Sequence, residues 1–581
     1  MPRARRALCA LPLALALAGC TDDDPAAPED AAPLADAAPD AAALDQALPD
    51  LGPPDQDPPD LALPDAAIPD MAPPDMGPTD PYEALTACLT RLVAESDATG
   101  AAVAIIEGGA VTFQAGVGTR GPEDERPVGP ATLFRFGSVL KGMTALGVLG
   151  YVDQGAITLD TPIVDIVPAL GDHPDPRWHD LTVHHVISHQ GGFADYIGLE
   201  APGAPDSRLA EYLTGEEFGA RAYFMADPGS FYNYANPNFM IAGLVLETLA
   251  GEPYRLAMQH RVFEPLGLAR MPFLADDVIA DGDFAVGVTA GFVPGTTRPA
   301  PPDAYDAVWV RPAGLGWASV EDLARYAQYI IARPDDGPAA ALISADTWTA
   351  WRTPYADAES FAVATGYGYG LFIYDGVMLG PESYHPVEII EHGGNINGYT
   401  AQLVTAPALG FGAALLVNGD ALNDRLNACA APLLAAQPGL PPAEAPPADR
   451  AVDRATFVDY VGDFDDPNNV GPIHVALDET GDLTLSMPLV EEAEVPYEPV
   501  LIDVARDMFL LRIQGLVIPI SGIRRAGEET VHWLRTRFFV GTRPEQLEPV
   551  QKRAPTADAL RRRLDALRTL PPPPPLRFTP E

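Results

Sequence analysis

Lysine is almost missing from this chain: of 36 basic residues, only Lys141 and Lys552 are lysines and the rest are arginines. Arginine serves wherever a fixed positive charge is enough. A lysine kept at 141 points to chemistry arginine cannot perform, because an amine can be tuned to lose its proton and act as a base while a guanidinium stays charged. Positive charge is scarce in general, with 81 acidic residues and a net charge of −45. That balance excludes nucleic acid as a partner, since phosphate binding needs clustered Lys and Arg. It also disfavours electrostatic attachment to anionic lipid headgroups, and it says little about fold. Cysteine is rare, with four in the chain, and no segment beyond the N-terminus is long and apolar enough to span a bilayer. What is present is length: 581 residues are too many for one core, so two or more domains are expected.

The N-terminus reads as a targeting segment, residues 1–20. Arg3, Arg5 and Arg6 form a positive start, and Ala7 to Leu17 is an apolar stretch too short to cross a membrane. It ends in Leu17-Ala18-Gly19-Cys20, which resembles the lipobox of bacterial lipoproteins. That resemblance implies cleavage before Cys20, lipid on its side chain, and a place in the bacterial cell envelope on the periplasmic or cell-surface face. Membrane contact then rests on the lipid alone. An ordinary cleaved signal with a chance cysteine is the alternative. Residues 21–80 form a tether of Asp, Ala and Pro without Lys or Arg, as in PDLGPPDQDPPD, and such composition cannot bury a core. Extended, it reaches on the order of 100 to 190 Å.

The main domain is expected over 82–438. It opens on an amphipathic helix, YEALTACLTRLVAES, with Leu85, Cys88, Leu89 and Leu92 on one face. A hairpin follows, AAVAIIE and AVTFQAGVG around Gly108-Gly109. A largely helical middle runs to about residue 355. Three strands, VEIIEH, YTAQLVTA and GFGAALLVN, and the helix ALNDRLNACAAPLLAA close the domain. Strands from both ends imply one antiparallel sheet with the terminal helices on a face. That layout is compatible with a Cys88–Cys429 disulfide or with two free thiols, since Cα separation decides between them. Beyond a proline-rich linker, 452–545 alternates as a small antiparallel β-barrel or sandwich. Residues 546–581 read as a short basic helix and a proline-rich tail.

Three short segments carry chemistry. In Phe136-Gly137-Ser138-Val139-Leu140-Lys141 the helical spacing puts the amine of Lys141 within reach of the hydroxyl of Ser138. Serine is a poor nucleophile until an adjacent base takes its proton. In Tyr232-Asn233-Tyr234-Ala235-Asn236, a loop leading into an apolar helix, Tyr234 offers a phenol for proton relay. A neighbouring lysine cation is expected to lower the pKa of that phenol. Asn236 offers a donor and an acceptor for a substrate amide and for Lys141. In Glu391-His392-Gly393-Gly394-Asn395, at a strand end, the glycines are expected to let a ligand approach the backbone.

In this order the segments resemble the motifs of the serine β-lactamase and penicillin-binding protein superfamily, nearest its class C and DD-peptidase/esterase branch. LTVHHVISHQGGF, VFEPLGLARM, AGLGWASVEDLARYAQYI and EHGGNINGYTAQL extend the likeness over roughly 82–438. It implies an α/β fold of the β-lactamase/transpeptidase type, an antiparallel sheet flanked by helices with a helical subdomain, followed by a lipocalin-like β-domain. It further implies Ser138 as the acylated nucleophile, Lys141 as its base and Tyr234 as second proton carrier. Asn236, His392, Gly394 and Asn395 would contact substrate, the amides of Ser138 and Asn395 forming an oxyanion hole. The reaction needs no cofactor and no metal. His392 stands where typical β-lactamases carry lysine, and a neutral imidazole holds a carboxylate less firmly, which favours peptidase or esterase chemistry.

The expected substrate is a D-amino-acid peptide of cell-wall type, cleaved in the manner of a DD-carboxypeptidase, with an ester or a β-lactam as alternatives. A non-catalytic envelope binding protein is the competing class. His184, His185 and His189 lack the Glu of a His-Glu-x-x-His zinc site. Phe136 stands where the first glycine of an α/β-hydrolase Gly-x-Ser-x-Gly would be.

Overall fold

Strand β1 (Gly100–Glu107) contains only Gly, Ala, Val and Ile before its terminal Glu, and all seven of those residues are buried. A strand covered on both faces reads in this near-continuous apolar way. Its alternate residues part company: Ala102, Ala104 and Ile106 enter one core, Ala101, Val103 and Ile105 another. The computed structural model describes residues 80–546, apart from 196–204, 292–295, 514–515 and positions 359, 362, 381, 526 and 538, together with 556–557. The expected signal peptide with Cys20, the tether, Lys552 and nearly all of the basic helix and tail lie outside the described residues.

β1 is the third strand of a nine-stranded sheet. The others are β2 (Ala110–Gly121), β3 (Asp124–Pro127), β4 (Ala356–Asp357), β5 (Thr365–Tyr367), β6 (Phe372–Tyr374), β7 (Ile389–Ile396), β8 (Tyr399–Ala406) and β9 (Phe411–Val417). The order is β3-β2-β1-β9-β8-β7-β6-β5-β4, so β1 from the start of the chain pairs antiparallel with β9 from the domain's end, Ala102 opposite Leu416. One face carries helices α1 (Pro81–Ala94) and α5 (Asn423–Ala435), joined by a Cys88–Cys429 disulfide across 5.6 Å between Cα atoms. The other face carries α4 (Val320–Ile331) and, beyond it, the helical part built on α2 (Leu140–Asp153) and α3 (Asn236–Ala250). Nearly every side chain of α2 and of the first three turns of α3 is buried, as expected of helices apolar all round. Strands β4 to β6 are not separable from the helical middle by sequence reading, because two or three residues are too short to show a period of two.

Residues 462–542 form an eight-stranded antiparallel sheet. Its strands are β10 (Gly462–Asp466), β11 (Gly471–Leu477), β12 (Leu483–Ser486), β13 (Ile502–Ala505), β14 (Met508–Ile513), β15 (Leu516–Arg524), β16 (Val531–Arg535) and β17 (Val540–Thr542). The order is β12-β11-β10-β17-β16-β15-β14-β13. Edge strand β12 bonds to the segment leading into β13, the other edge: Leu485 N–H donates to the Pro499 carbonyl at 2.7 Å and Leu501 N–H to Leu483 at 2.9 Å. The sheet thereby curls on itself around Phe464, Ile473, Val475, Leu483, Leu485 and Leu534.

Candidate active site

Ser138 occupies a 3-10 turn, Gly137–Val139, that runs straight into α2. Gly137 is left-handed, with φ +54°, and a Cβ on it would lie 2.8 Å from the Asn395 nitrogen. A Cβ on Gly394 would lie 2.1 Å from the Phe136 carbonyl oxygen. Both positions therefore require glycine, and together they press the serine turn, main chain against main chain, onto β7. This corrects the expectation for Gly394. Its clearance is filled by the turn carrying Ser138 rather than by a ligand. The backbone of Gly137, next to Ser138, lies against that of Asn395, while the Asn395 side chain is tied to Asn423, its Nδ2 donating to Oδ1 at 2.7 Å.

One helical turn on, Lys141 is fully buried. Its Nζ lies 2.9 Å from Ser138 Oγ, 2.9 Å from Asn236 Oδ1 and 2.6 Å from the Ala313 carbonyl oxygen. Burial pushes its pKa well below that of an ordinary lysine, which makes the neutral amine easier to reach than in an exposed lysine; Asp195 opposes this shift and Arg537 adds to it. A neutral amine has two N–H bonds and one lone pair. Asn236 Oδ1 and the Ala313 carbonyl can only accept, so they take both N–H groups and leave the lone pair for the Ser138 hydroxyl.

The orientation of Asn236 is itself fixed. Its Nδ2 and its backbone N–H both donate to Asp195 Oδ1 at 2.9 Å, which keeps Oδ1 on Lys141. The side chain expected to contact a substrate amide is thus engaged at both ends within the protein. Asp195 Oδ2 accepts from Arg537 Nη2 at 2.5 Å, and the pair is 5% and 16% exposed.

Tyr234, at the end of the loop before α3, has its phenol close enough to the side chain of Ser138 to be influenced by it. The expectation of an acidified phenol is wrong in sign. Burial raises the Tyr234 pKa above its ordinary value, and the Arg537 charge and the Ser138 side chain offset this only in part. Tyr234 stays protonated and acts as a donor.

His392 is buried, and burial pushes its pKa down to about 3, with Lys141 as the next cause. Nδ1–H donates to the Gly393 carbonyl at 2.6 Å, so Nε2 accepts from the Tyr367 hydroxyl at 3.2 Å. The third motif therefore brings a neutral ring and no cation. The histidine run has structural work. His185 completes a capping box with Thr182, and His184 bonds Tyr369 and Gln190. His189 Nδ1 accepts from Ala235 N–H at 3.3 Å and from Asn238 Nδ2 at 3.2 Å, its ring lying 4.3 Å from that of Tyr234.

Sequence reasoning named Ser138, Lys141, Tyr234 and Asn236, which the fold brings into one cluster. It missed Asp195, Ala313, Tyr367 and Arg537. Asp195 lies two residues past HHVISHQGGF, close enough to have been considered; an arginine in a chain rich in arginine carries no compositional flag.

A half-exposed serine on a buried amine of lowered pKa, with a protonated phenol beside it, defines a serine hydrolase of the Ser-x-x-Lys type. The family model described as Beta-lactamase matches residues 85–437, more than half of the 581, and the chain belongs to that family. Penicillin-binding protein 4 of Amycolatopsis lactamdurans is 29% identical over 56% of this chain and 83% of its own length. A D-aminopeptidase of Gluconobacter oxydans is 29% identical over 43% of this chain, and esterase EstB of Burkholderia gladioli 28% over 33%. The chain spans about half the length of those two, 46% and 51%. Among solved structures, SurE matches with a TM-score of 0.59 at 26% identity, covering 80% of this chain and 99% of that one. The octameric penicillin-binding protein homologue from Pyrococcus abyssi matches with a TM-score of 0.54 at 23% identity, covering 80% and 100%, which bears on fold alone.

Proposed function

We propose that the protein hydrolyses peptides carrying a D-amino acid of cell-wall type through an acyl-enzyme on Ser138, in the manner of a DD-carboxypeptidase. The observation that carries this reading is the placement of Lys141: its buried Nζ lies 2.9 Å from Ser138 Oγ while Asn236 and Ala313 accept from it, so in the neutral amine the lone pair falls to the Ser138 hydroxyl. Ser138 Oγ attacks the carbonyl carbon as its proton passes to Lys141 Nζ, and the oxyanion lies against the amides of Ser138 and Asn395. The C–N bond then breaks as the Tyr234 hydroxyl gives its proton to the leaving nitrogen; the proton held on Lys141 returns to the phenolate. Water cleaves the acyl-enzyme by the same path in reverse.

Relatives named penicillin-binding protein and D-aminopeptidase, and a solved structure of SurE with D-Leu, support a D-amino-acid substrate. The neutral His392 speaks against efficient β-lactamase activity. The esterase relative makes short esters the second reading. We place the protein at the bacterial cell envelope, held by lipid on Cys20; incorporation of labelled palmitate that vanishes in Cys20→Ser tests this.

The substrate reading is tested by turnover of a D-Ala-D-Ala peptide, a p-nitrophenyl ester and nitrocefin, with fluorophosphonate labelling of wild type and Ser138→Ala. The expected result is labelling lost in Ser138→Ala and the highest kcat/KM on the peptide. A higher kcat/KM on the ester would favour the esterase. No labelling and no turnover would favour a non-catalytic binding protein.

A further inference from the structure

Strand β16 and the turn after it place every second side chain against the catalytic loops. Leu534 points into the core of the β-domain. On the other side, Trp533 packs on Phe231 at 5.4 Å between ring centres. Arg535, buried, donates from Nη1 to the Tyr232 carbonyl at 2.5 Å and from Nη2 to Ser521 Oγ at 2.7 Å. Arg537 continues the alternation into the turn. Its carbonyl accepts from Asp195 N–H at 3.1 Å, its guanidinium meets Asp195 Oδ2, and its guanidinium carbon lies 4.4 Å from the centre of the Tyr234 ring. Lys141 Nζ lies 4.9 Å from that same ring centre.

These contacts form one hydrogen-bonded line across two domains: Arg537 to Asp195, Asp195 to Asn236, Asn236 to Lys141, Lys141 to Ser138. Asp195 and Arg537 stand 342 residues apart in sequence. We infer that the β-domain completes the active site, with Arg537 as a positioning residue that acts through Asp195 and Asn236 to aim the amine of Lys141 at Ser138. This rests on the reading of Ser138 as nucleophile and Lys141 as base, and it gives the β-domain a part in the reaction.

Geometry and charge act in the same direction. Without Arg537, Asp195 loses the partner that fixes Oδ2, so its carboxylate can turn away from Asn236 Nδ2 and release the amide that holds Oδ1 on Lys141. The titratable and charged groups facing Lys141 come from separate segments: Asp195, His189, Tyr234, His392 and Arg537. Of these, Arg537 disfavours a proton on Lys141 and Asp195 favours one. Neutralising either therefore has a predictable sign. Loss of the guanidinium raises the pH at which Lys141 becomes free base; loss of the carboxylate lowers it. A merely structural role would admit water to the site in both variants and move Lys141 upward, toward an ordinary lysine, in both.

The experiment uses the full chain with a p-nitrophenyl ester and fluorophosphonate labelling of Ser138. The acid limb of kcat/KM is compared for wild type, Arg537→Gln, Arg537→Lys and Asp195→Asn. Arg512→Gln serves as a control, a surface β-domain arginine paired with Glu498 at 3.4 Å. For Arg537→Gln the expected result is a kcat lower by on the order of tenfold to a hundredfold and an acid limb about one pH unit higher. Asp195→Asn should move the limb down. Arg537→Lys should keep the limb near its wild-type position and recover part of kcat, and it stands in if Arg537→Gln fails to fold. Arg512→Gln should match wild type. An unchanged kcat and limb in Arg537→Gln, or limbs moving the same way in Arg537→Gln and Asp195→Asn, would overturn the inference while labelling of Ser138 left the hydrolase reading standing. A wild type that neither labels nor turns over would remove that reading and the inference with it.

Discussion

Two turns from different domains each bring a basic side chain to the ring of Tyr234. The first turn of α2 brings Lys141, and the turn after β16 brings Arg537. The first is fully buried and has no ion pair among the described residues, so burial weakens its hold on a proton. The second keeps its charge and holds a carboxylate. One is a base because it can be neutral; the other orients because it cannot. The comparison teaches why this chain retains lysine at 141 while using arginine nearly everywhere else.

Exchanging the two chemistries breaks the comparison most sharply. Lys141→Arg fixes a cation there and removes the lone pair, and should lower kcat/KM by on the order of a thousandfold or more, measured on an ester or peptide. Arg537→Lys keeps the charge but loses the planar fork, and should cost on the order of tenfold. Little or no loss in either would show that the site needs only positive charge at each position.

The smallest effect on catalysis is expected from the far face of the sheet. Cys88 and Cys429 join α1 to α5, away from the helical side that bears Ser138. Cys88→Ser with Cys429→Ser should lower unfolding stability by about 2–5 kcal/mol by freeing the unfolded chain, with the pH profile of kcat/KM unchanged. Chemical denaturation and kinetics on the double variant check both halves.

Much of this was readable before any coordinates. The helical spacing of Ser138 and Lys141 and the rarity of lysine single out the nucleophile and its base. Strand patterns from both ends of the main domain imply one antiparallel sheet, and the alternation over 452–545 implies the β-domain. The direction of the Tyr234 pKa was not readable, because it turns on how completely the phenol is desolvated, a property of the fold rather than of its sequence neighbours. Nor was the use of Gly394, since only the packed turn shows what fills its missing Cβ. Arg537 escaped notice for a third reason: its partner lies in another domain, and its residue type is the chain's ordinary cation.

The account depends on Lys141 being an unprotonated amine near neutral pH. The scarcity of lysine makes this directly observable, because a protein labelled with carbon-13 at lysine Cε has only Lys141 and Lys552 to report, and Lys141→Arg assigns the signals. The Lys141 signal should titrate well below the ordinary lysine value of about 10.4, with its midpoint rising in Arg537→Gln. Titration of Lys141 at the ordinary value, with hydrolysis already rapid at neutral pH, would contradict the account.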